Sequence, residues 1–87
     1  MSKVVVYSSL MCPYGYQAKS LLKQKNVDFQ EIDVTFDKSK RAQMIEKANG
    51  RHTVPQIFIG ETHVGGCDDL MALNDTGQLD SMLATAS

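Results

Sequence analysis

Residue types that mark particular protein classes are scarce in this chain of 87 residues. Tryptophan is absent, and the two cysteines, Cys12 and Cys67, are too few for a disulfide framework. Their separation matches none of the paired Cys-x-x-Cys spacings of zinc sites, so a reducing compartment is expected. No apolar run approaches the roughly 20 residues that span a bilayer, and residues 1–3 carry no signal-peptide pattern. We therefore expect a cytoplasmic protein with no membrane partner.

An excess of charge of either sign is also lacking. Nine basic and ten acidic side chains give a net charge of −1 at pH 7. Proteins that bind nucleic acid or anionic membranes through electrostatics carry a basic patch, so we expect neither partner. Hydrophobic residues at 43% and charged residues at 22% instead fit a single globular domain over residues 1–87. A domain of this size buries only about 60% of the surface of its unfolded chain, so a thin core is expected.

One of the two cysteines lies where a predicted strand gives way to a predicted helix. Residues 4–7 form a β-branched run, and apolar residues after Cys12 recur at helical spacing. Pro13 suits the first helical turn, because its fixed φ and missing N–H cost nothing there. The unpaired N–H groups and the positive end of the helix dipole would face the Cys12 sulfur and favour the thiolate. Cys12 is therefore the candidate nucleophile.

The rest of the chain predicts a small α/β domain. Apolar periodicity and turn residues predict strands over residues 3–8, 27–34, 56–59 and 62–64. They predict helices over residues 13–25, 37–49 and 78–84, and one more that opens at Asp68 and stops before Asn74. The order β-α-β-α-β-β-α-α, with parallel and then antiparallel strands, is typical of a small α/β sandwich.

Three separated motifs resemble those of the glutaredoxin family, and within it the bacterial glutaredoxin 3 type. They are Met11-Cys12-Pro13-Tyr14-Gly15, Thr53-Val54-Pro55-Gln56-Ile57-Phe58-Ile59 and Gly65-Gly66-Cys67-Asp68-Asp69. They occur in the family's order and at about its spacing, over nearly the whole chain. The resemblance implies the thioredoxin fold of the glutaredoxin type, an α/β fold with a four-stranded mixed sheet and flanking helices. It also implies an oxidoreductase with a redox-active cysteine, active in electron transport and cell redox homeostasis.

The chain departs from the dithiol glutaredoxins at Gly15, where they carry a second cysteine. In the family, the first cysteine attacks the glutathione sulfur of a glutathionylated protein, and a second glutathione resolves the mixed disulfide. This monothiol route needs only Cys12. Dithiol reduction of a protein disulfide also needs a resolving thiol, so we expect it to be largely absent. A natural glycine and an engineered replacement of the second cysteine both fit this pattern.

The resemblance also implies how the middle of glutathione binds. In thioredoxin folds the proline of the second motif, here Pro55, is cis and faces the active cysteine. Val54 would then pair its backbone N–H and C=O with the cysteinyl part of glutathione, as an added strand does, and Thr53 would flank that contact. Tyr14 either packs against the fold or lines the glutathione groove, as the family's tyrosine does.

The third motif is implied to hold the γ-glutamyl end of glutathione. Gly66 would let the ligand approach the backbone closely. Cys67 and Asp68 begin a predicted helix, whose N–H groups would take the γ-glutamyl carboxylate. The side chain of Asp68, favoured over Asp69, would take the ammonium group. We interpret Cys67 as a structural and backbone contact, with a second nucleophile as the less favoured alternative.

The glycine carboxylate of glutathione needs a cation that this sequence does not place in the usual position. The family commonly has a lysine just before the active cysteine, but residues 8–11 here are Ser-Ser-Leu-Met. The resemblance implies Arg41 on the second helix as the substitute, since a guanidinium binds a carboxylate with two hydrogen bonds. Lys38 is the alternative, and both also fit an ordinary exposed charge. His52 and His63 are expected on the surface.

A binding role stands beside the enzymatic one. Some glutaredoxins hold a [2Fe-2S] cluster between two subunits, each giving its first cysteine and one bound glutathione. If this chain resembles them, Cys12 is a metal ligand and the loaded form is a homodimer. Otherwise the expected partners are glutathione and glutathionylated proteins, and the chain acts as a monomer.

Overall fold

The computed structural model describes residues 3–85, and its helices and strands follow the predicted order. They are β1 Val4–Ser8, α1 Pro13–Gln24, β2 Gln30–Asp33, α2 Lys38–Lys47, β3 Gln56–Ile59, β4 Thr62–Gly65, α3 Cys67–Thr76 and α4 Gln78–Thr85. The expected single domain extends to residues outside this range. None of the helices described is long and apolar enough to cross a membrane.

Three elements differ in length from their predictions by three residues or more. The second helix is shorter, at Lys38–Lys47 instead of residues 37–49. The second strand is shorter, because only Gln30–Asp33 pair with β1, whereas Val27 and Phe29 pack half-buried against the core without joining the sheet. The alternation of apolar side chains in residues 27–29 therefore reflects packing against the core and not membership of the sheet. The third helix is longer than predicted, because it continues to Thr76 and ends at Gly77, whose φ of 81° is left-handed.

The four strands form one mixed sheet in the order β2-β1-β3-β4. β1 pairs parallel to β2 and antiparallel to β3, and β3 pairs antiparallel to β4. β1 is therefore an interior strand, which fits its unbroken apolar run. The carboxyl ends of β1 and β2 and the start of β3 meet at one edge of the sheet. The loops at this edge carry the first two sequence motifs.

Helices cover both faces of the sheet and enclose two core clusters, because successive side chains of a strand face opposite sides. The larger cluster lies under α1, α3 and α4, and its buried members are Val4, Val6, Ala18, Leu21, Leu22, Ile57, Ile59, Cys67, Leu70 and Leu79. The smaller cluster lies under α2 and consists of Tyr7, Val34, Met44, Ala48 and Phe58.

Capping residues set where the helices begin and end. Asn26 has a left-handed φ of 57° just past the end of α1, a conformation common at helix C-termini. The Asp37 carboxylate accepts a hydrogen bond from the Lys40 N–H at 2.9 Å and so starts α2. The end of α1 and the start of α2 are therefore set by capping residues, and four residues separate α1 from β1.

Candidate active site

Cys12 occupies the N-cap of α1, with extended backbone angles of φ −124° and ψ 94°. Pro13 follows at the first helical position, so the first free N–H groups of the helix point back toward the cysteine. One of them, the Gly15 N–H, donates a hydrogen bond to Cys12 Sγ at 3.2 Å. The sulfur is only partly buried. The predicted placement of Cys12 at a helix start, facing backbone donors, is confirmed.

Gly15 is buried against the Cys12 sulfur. A Cβ atom added at Gly15 would lie 3.2 Å from Cys12 Sγ and 3.3 Å from the Ser8 Cβ. In a disulfide, the Cβ of one cysteine lies about 3 Å from the sulfur of the other. The backbone therefore has the geometry of a local dithiol, although the sequence supplies no second thiol in this loop.

The segment before β3 presents free backbone groups beside this loop. The Val54–Pro55 peptide bond is cis, as predicted, and Pro55 is buried. Neither the N–H nor the C=O of Val54 has a hydrogen-bond partner within residues 3–85. Half-buried backbone groups of this kind need a partner from water or a ligand. They are available for the strand-like pairing that was predicted.

A buried side-chain network holds this segment. Gln56 is fully buried, and its Nε2 donates to the Thr53 carbonyl at 3.0 Å and to Thr53 Oγ1 at 3.1 Å. His63 Nε2 lies 2.7 Å from Gln56 Oε1, so it must carry the hydrogen that the amide oxygen accepts. The sequence analysis missed this network. A glutamine in an otherwise apolar strand was the available signal, because a buried amide requires partners.

His63 is half-buried and not fully exposed, so the expected surface position is only partly correct. Its ring stacks on Phe58 with the ring centroids 5.0 Å apart. Burial lowers the pKa of His63 below its ordinary value of 6.5, and the positive charge of Arg51 lowers it further. His52, in contrast, is exposed as expected.

A groove of about 340 Å³ opens between the start of α1, the segment before β3 and the start of α3. Its lining residues are Tyr14, Arg51, Thr53, Val54, Pro55, Gly66, Cys67, Asp68 and Asp69. Every residue predicted to contact glutathione is among them except Arg41. The groove thus joins the second and third motifs and begins with Tyr14, two residues after Cys12.

Arg41 is not part of the groove lining. It is half-buried on α2, and its Nη1 donates to the His52 carbonyl at 3.4 Å. Arg51 lies in the groove instead and was not singled out from the sequence. It falls in a loop without periodicity, and only the folded chain brings it to α3. The contact of Arg41 with a glycine carboxylate stays a prediction.

The two carboxylates at the start of α3, those of Asp68 and Asp69, have different surroundings. Asp69 Oδ2 accepts the Gly66 N–H at 2.9 Å and Arg51 Nη1 at 3.0 Å. The Gly66 N–H and then the Arg51 guanidinium hold the pKa of Asp69 below its usual range. Asp68 is exposed and has no hydrogen-bond or ion-pair partner within the described part of the chain. Asp68 is therefore the carboxylate that remains available to a ligand.

Cys67 is the first residue of α3 and is 5% exposed. Burial raises the pKa of the Cys67 thiol, and the negative charges of Asp68 and Cys12 raise it further. Its Sγ donates toward Gln17 Oε1 at 3.9 Å. A buried thiol that resists ionisation is a poor nucleophile, which agrees with the structural interpretation of Cys67.

No group of three or more His, Cys, Asp or Glu side chains within residues 3–85 could hold a metal ion. Cys12 and Cys67 are both free thiols. A metal ion held by the described part of one chain would therefore need further ligands from elsewhere, and Cys12 is the more accessible of the two thiols.

Comparison with known proteins agrees with this geometry. The family model described as glutaredoxin matches residues 4–64. The chain belongs to the glutaredoxin family. Its relatives include the glutaredoxin of Pseudomonas aeruginosa, 55% identical over 97% of this chain and 99% of that protein. Glutaredoxin 3 of Escherichia coli K12 is 51% identical over 95% of this chain and 99% of that protein.

Solved structures establish the fold of this glutaredoxin. The glutaredoxin of Brucella melitensis is 52% identical and superimposes with a TM-score of 0.87, covering 100% of this chain and 94% of that one. A buckwheat glutaredoxin–glutathione complex is 32% identical, with a TM-score of 0.86 over 98% of this chain and 79% of that one. The predicted thioredoxin fold is confirmed. In general terms, this glutaredoxin is a glutathione-dependent thiol oxidoreductase.

Proposed function

We propose that this glutaredoxin reduces protein–glutathione mixed disulfides by a monothiol mechanism through Cys12. The observation that carries the proposal is the placement of the Cys12 sulfur. It lies at the N-cap of α1, accepts the Gly15 N–H at 3.2 Å and has a glycine where a resolving cysteine would stand. A donated hydrogen bond and the helix dipole both stabilise negative charge on sulfur.

In the first step, the Cys12 thiolate attacks the glutathione sulfur of the mixed disulfide. A bond forms between Cys12 Sγ and that sulfur, and the bond between glutathione and the protein substrate breaks. The protein thiolate leaves and takes a proton from water. Partial exposure of Cys12 allows a sulfur on another protein to reach it.

In the second step, the thiolate of a second glutathione attacks the glutathione sulfur held on Cys12. Cys12 leaves as a thiolate, and glutathione disulfide is released. No other thiol of the chain takes part, because Cys67 is buried and its raised pKa keeps it protonated. Dithiol reduction of protein disulfides is expected to be largely absent for the same reason.

The groove supplies contacts along the glutathione tripeptide. The free Val54 N–H and C=O would pair with the cysteinyl backbone, beside Thr53 and Pro55. The N–H groups in the first turn of α3, from Cys67 onward, would receive the γ-glutamyl carboxylate, because the Gly66 N–H is already held by Asp69. The unpaired Asp68 carboxylate would bind its ammonium group. The complex of the buckwheat relative with glutathione supports glutathione as the ligand.

Two further contacts complete the proposed binding site. Tyr14 is 59% exposed and lines the groove, so its ring can cover the bound tripeptide. Arg41 would take the glycine carboxylate by turning from the His52 carbonyl, a weak contact of 3.4 Å. We propose the cytoplasm as the place of action, with the enzyme working as a monomer.

Substitution of each cysteine tests the monothiol mechanism. Cys12→Ser should lower turnover of a glutathionylated peptide by at least about a thousandfold, since a hydroxyl cannot replace the attacking thiolate. Cys67→Ser should keep activity within about twofold of the parent. The measurement is glutathione disulfide formation, coupled to a reductase. Equal loss of activity in both variants would contradict the role given to Cys67.

Binding of a [2Fe-2S] cluster is a second candidate function. The half-exposed Cys12 thiol and the small Gly15 beside it leave room for a metal on the sulfur. Residues 3–85 hold no metal-ligand group of their own, so the donor set fits only when shared. Two copies of Cys12 and two glutathione thiolates would complete four ligands in a homodimer. The cluster would supply one-electron chemistry or be passed to another protein.

Anaerobic reconstitution with iron, sulfide and glutathione tests this second function. A loaded dimer should show visible absorbance together with a native mass of two chains, two glutathiones and one cluster. Cys12→Ser should lose both signals, whereas Cys67→Ser should keep both. Colour without the dimer mass would argue against a shared cluster.

A further inference from the structure

Three large apolar side chains are left in water on one side of Cys12. Met11 is 93% exposed, Phe36 is 90% exposed and Leu10 is 66% exposed. We call Leu10, Met11 and Phe36 the apolar rim. Single exposed apolar residues are ordinary, but several together beside a reactive group are typical of an interaction site.

Hydrogen bonds through one threonine hold the two parts of the apolar rim together. The Leu10 N–H donates to Thr35 Oγ1 at 2.8 Å, which joins the loop after β1 to the residue next to Phe36. Thr35 is itself anchored on the Asp33 carboxylate, to which its N–H donates at 2.8 Å and its hydroxyl at 2.5 Å. These hydrogen bonds therefore fix the backbone on both sides of the rim to the end of β2.

The sheet order places the apolar rim and the groove on opposite sides of Cys12. β2 and β1 run parallel, so Phe36 and Cys12 follow neighbouring strands at the same edge of the sheet. β3 lies on the other side of β1, and residues 53–55 of the groove come directly before it. From β2 to β3, the order along this edge is thus rim, nucleophile, groove.

This order fits the two halves of a glutathionylated substrate. In thiol–disulfide exchange, the attacking, central and leaving sulfurs come close together, so the polypeptide on the leaving sulfur lies near Cys12. Because glutathione would fill the groove on the β3 side, the polypeptide would contact surface around Cys12 that glutathione leaves open. The apolar rim lies on the β2 side of that surface, and residues 8–11 place no charge there.

We propose that the apolar rim binds the protein half of the substrate and selects glutathionylated cysteines flanked by apolar residues in an exposed segment. This inference rests on the proposed function and specifies its substrate class. Met11 supplies a flexible apolar contact that adapts to different sequences, and Phe36 supplies a large rigid one. The three side chains of the rim carry no charge, so the preference that they impose is for apolar flanking residues.

Two glutathionylated hexapeptides of equal length and net charge test the proposal, one with leucine and valine around the cysteine and one with serine and asparagine. The mixed disulfide of glutathione and 2-mercaptoethanol serves as the reference substrate, since it has no polypeptide to touch the rim. We expect kcat/KM to be about tenfold higher for the apolar peptide than for the polar one.

Serine substitutions in the rim should remove this preference. Leu10→Ser, Met11→Ser and Phe36→Ser should each reduce it by about twofold to threefold, and the triple variant should abolish it. Activity on the reference substrate should stay within about twofold. Gln24→Ser, at the far end of α1 and roughly 18 Å from Cys12 along the helix, is the surface control and should change neither value. Thermal unfolding of each variant checks that it is folded, and the single variants suffice if the triple variant is not.

The outcomes separate this inference from the function on which it rests. If the wild-type protein does not turn over the reference substrate, the proposed function itself fails. If the reference substrate reacts but the two peptides react equally, the rim does not select substrates. A preference that survives all three serine substitutions would also overturn the inference, because another surface would then carry it.

Discussion

At the scale of single residues, the side chain at position 15 decides which redox chemistry the loop can perform. The backbone around Gly15 directs a Cβ to within 3.2 Å of Cys12 Sγ, although glycine leaves that place empty. The N-cap position of Cys12 was readable from local sequence, because a strand, a proline and helical spacing all lie within a few residues. The closeness of position 15 to Cys12 was implied by the family's second cysteine at this position, whereas the packing of Gly15 against Ser8 was not readable.

Gly15→Cys should introduce the missing dithiol. The new Cβ is at disulfide distance, and the neighbours need to give by only a few tenths of an ångström. Oxidation should then remove about 2 Da from the intact mass as a bond to Cys12 forms. The variant should also gain reduction of a protein disulfide such as that of insulin. Gly15→Ser is the matched control, with a similar Cβ contact and no gain.

Gln56 provides a second residue-scale test, because it is buried with all its hydrogen bonds made inside the fold. Gln56→Leu keeps the volume but leaves the Thr53 carbonyl and the His63 ring without their partner. We expect the free energy of unfolding to fall by about 2 kcal/mol and KM for glutathione to rise as the Val54 segment loosens. Urea unfolding and steady-state kinetics measure the two effects. Gln24→Leu, on the surface, should change neither.

At the scale of elements, the Asp69 carboxylate stabilises the start of α3. Asp69 caps the Gly66 N–H and pairs with Arg51, which ties the helix to the loop before β3. Gly65 allows this arrangement, because its φ of 118° is left-handed and any Cβ there would collide with the Asp69 carboxylate. The acidic first turn was predicted from sequence, but the pairing with Arg51 was not.

Asp69→Asn should reduce stability in a pH-dependent way. Its folded pKa lies below the ordinary value of 3.8, so the stabilisation is full above that value and is lost as the pH falls through the folded pKa. The side chain is 45% exposed and therefore screened, so we expect a loss of only about 1 kcal/mol at pH 7. Urea unfolding at pH 7 and at pH values below about 4 should show the difference shrinking in acid.

Asp75→Asn is the matched control for this change. It removes the same charge from the other end of α3, where the helix dipole does not favour a carboxylate. Stability at pH 7 should be unchanged or slightly higher in this variant. A loss at Asp75 equal to that at Asp69 would mean that net charge, and not the cap, is responsible.

At the scale of the whole molecule, two core clusters on the two faces of one small sheet must hold the fold. A domain of this size has a free energy of unfolding of only about 5–15 kcal/mol, so each large buried side chain matters. Leu22 is completely buried in the larger cluster, between α1 and the sheet. The groove and the apolar rim are both attached to this sheet, so their geometry depends on the core.

Leu22→Ala should therefore remove a large part of the total stability. We expect a loss of about 3 kcal/mol, from the lost transfer of the side chain out of water and from the cavity left behind. Leu10→Ala removes the same atoms from a side chain that is 66% exposed and should cost less than about 0.5 kcal/mol. Chemical denaturation measures both. Similar losses at the two positions would contradict the assignment of Leu22 to the core.

The amino-acid sequence by itself determined the order of helices and strands and the cap at Cys12, because these depend on periodicity and capping within a few residues, and its resemblance to the glutaredoxin family implied the cis proline and most of the groove. Only the tertiary structure decided which distant groups meet. Arg51 rather than Arg41 lines the groove, His63 contacts Gln56, and Thr35 ties Leu10 to the end of β2. These partners are 7 to 25 residues apart, and their contacts follow from strand register and helix packing, which no local pattern contains.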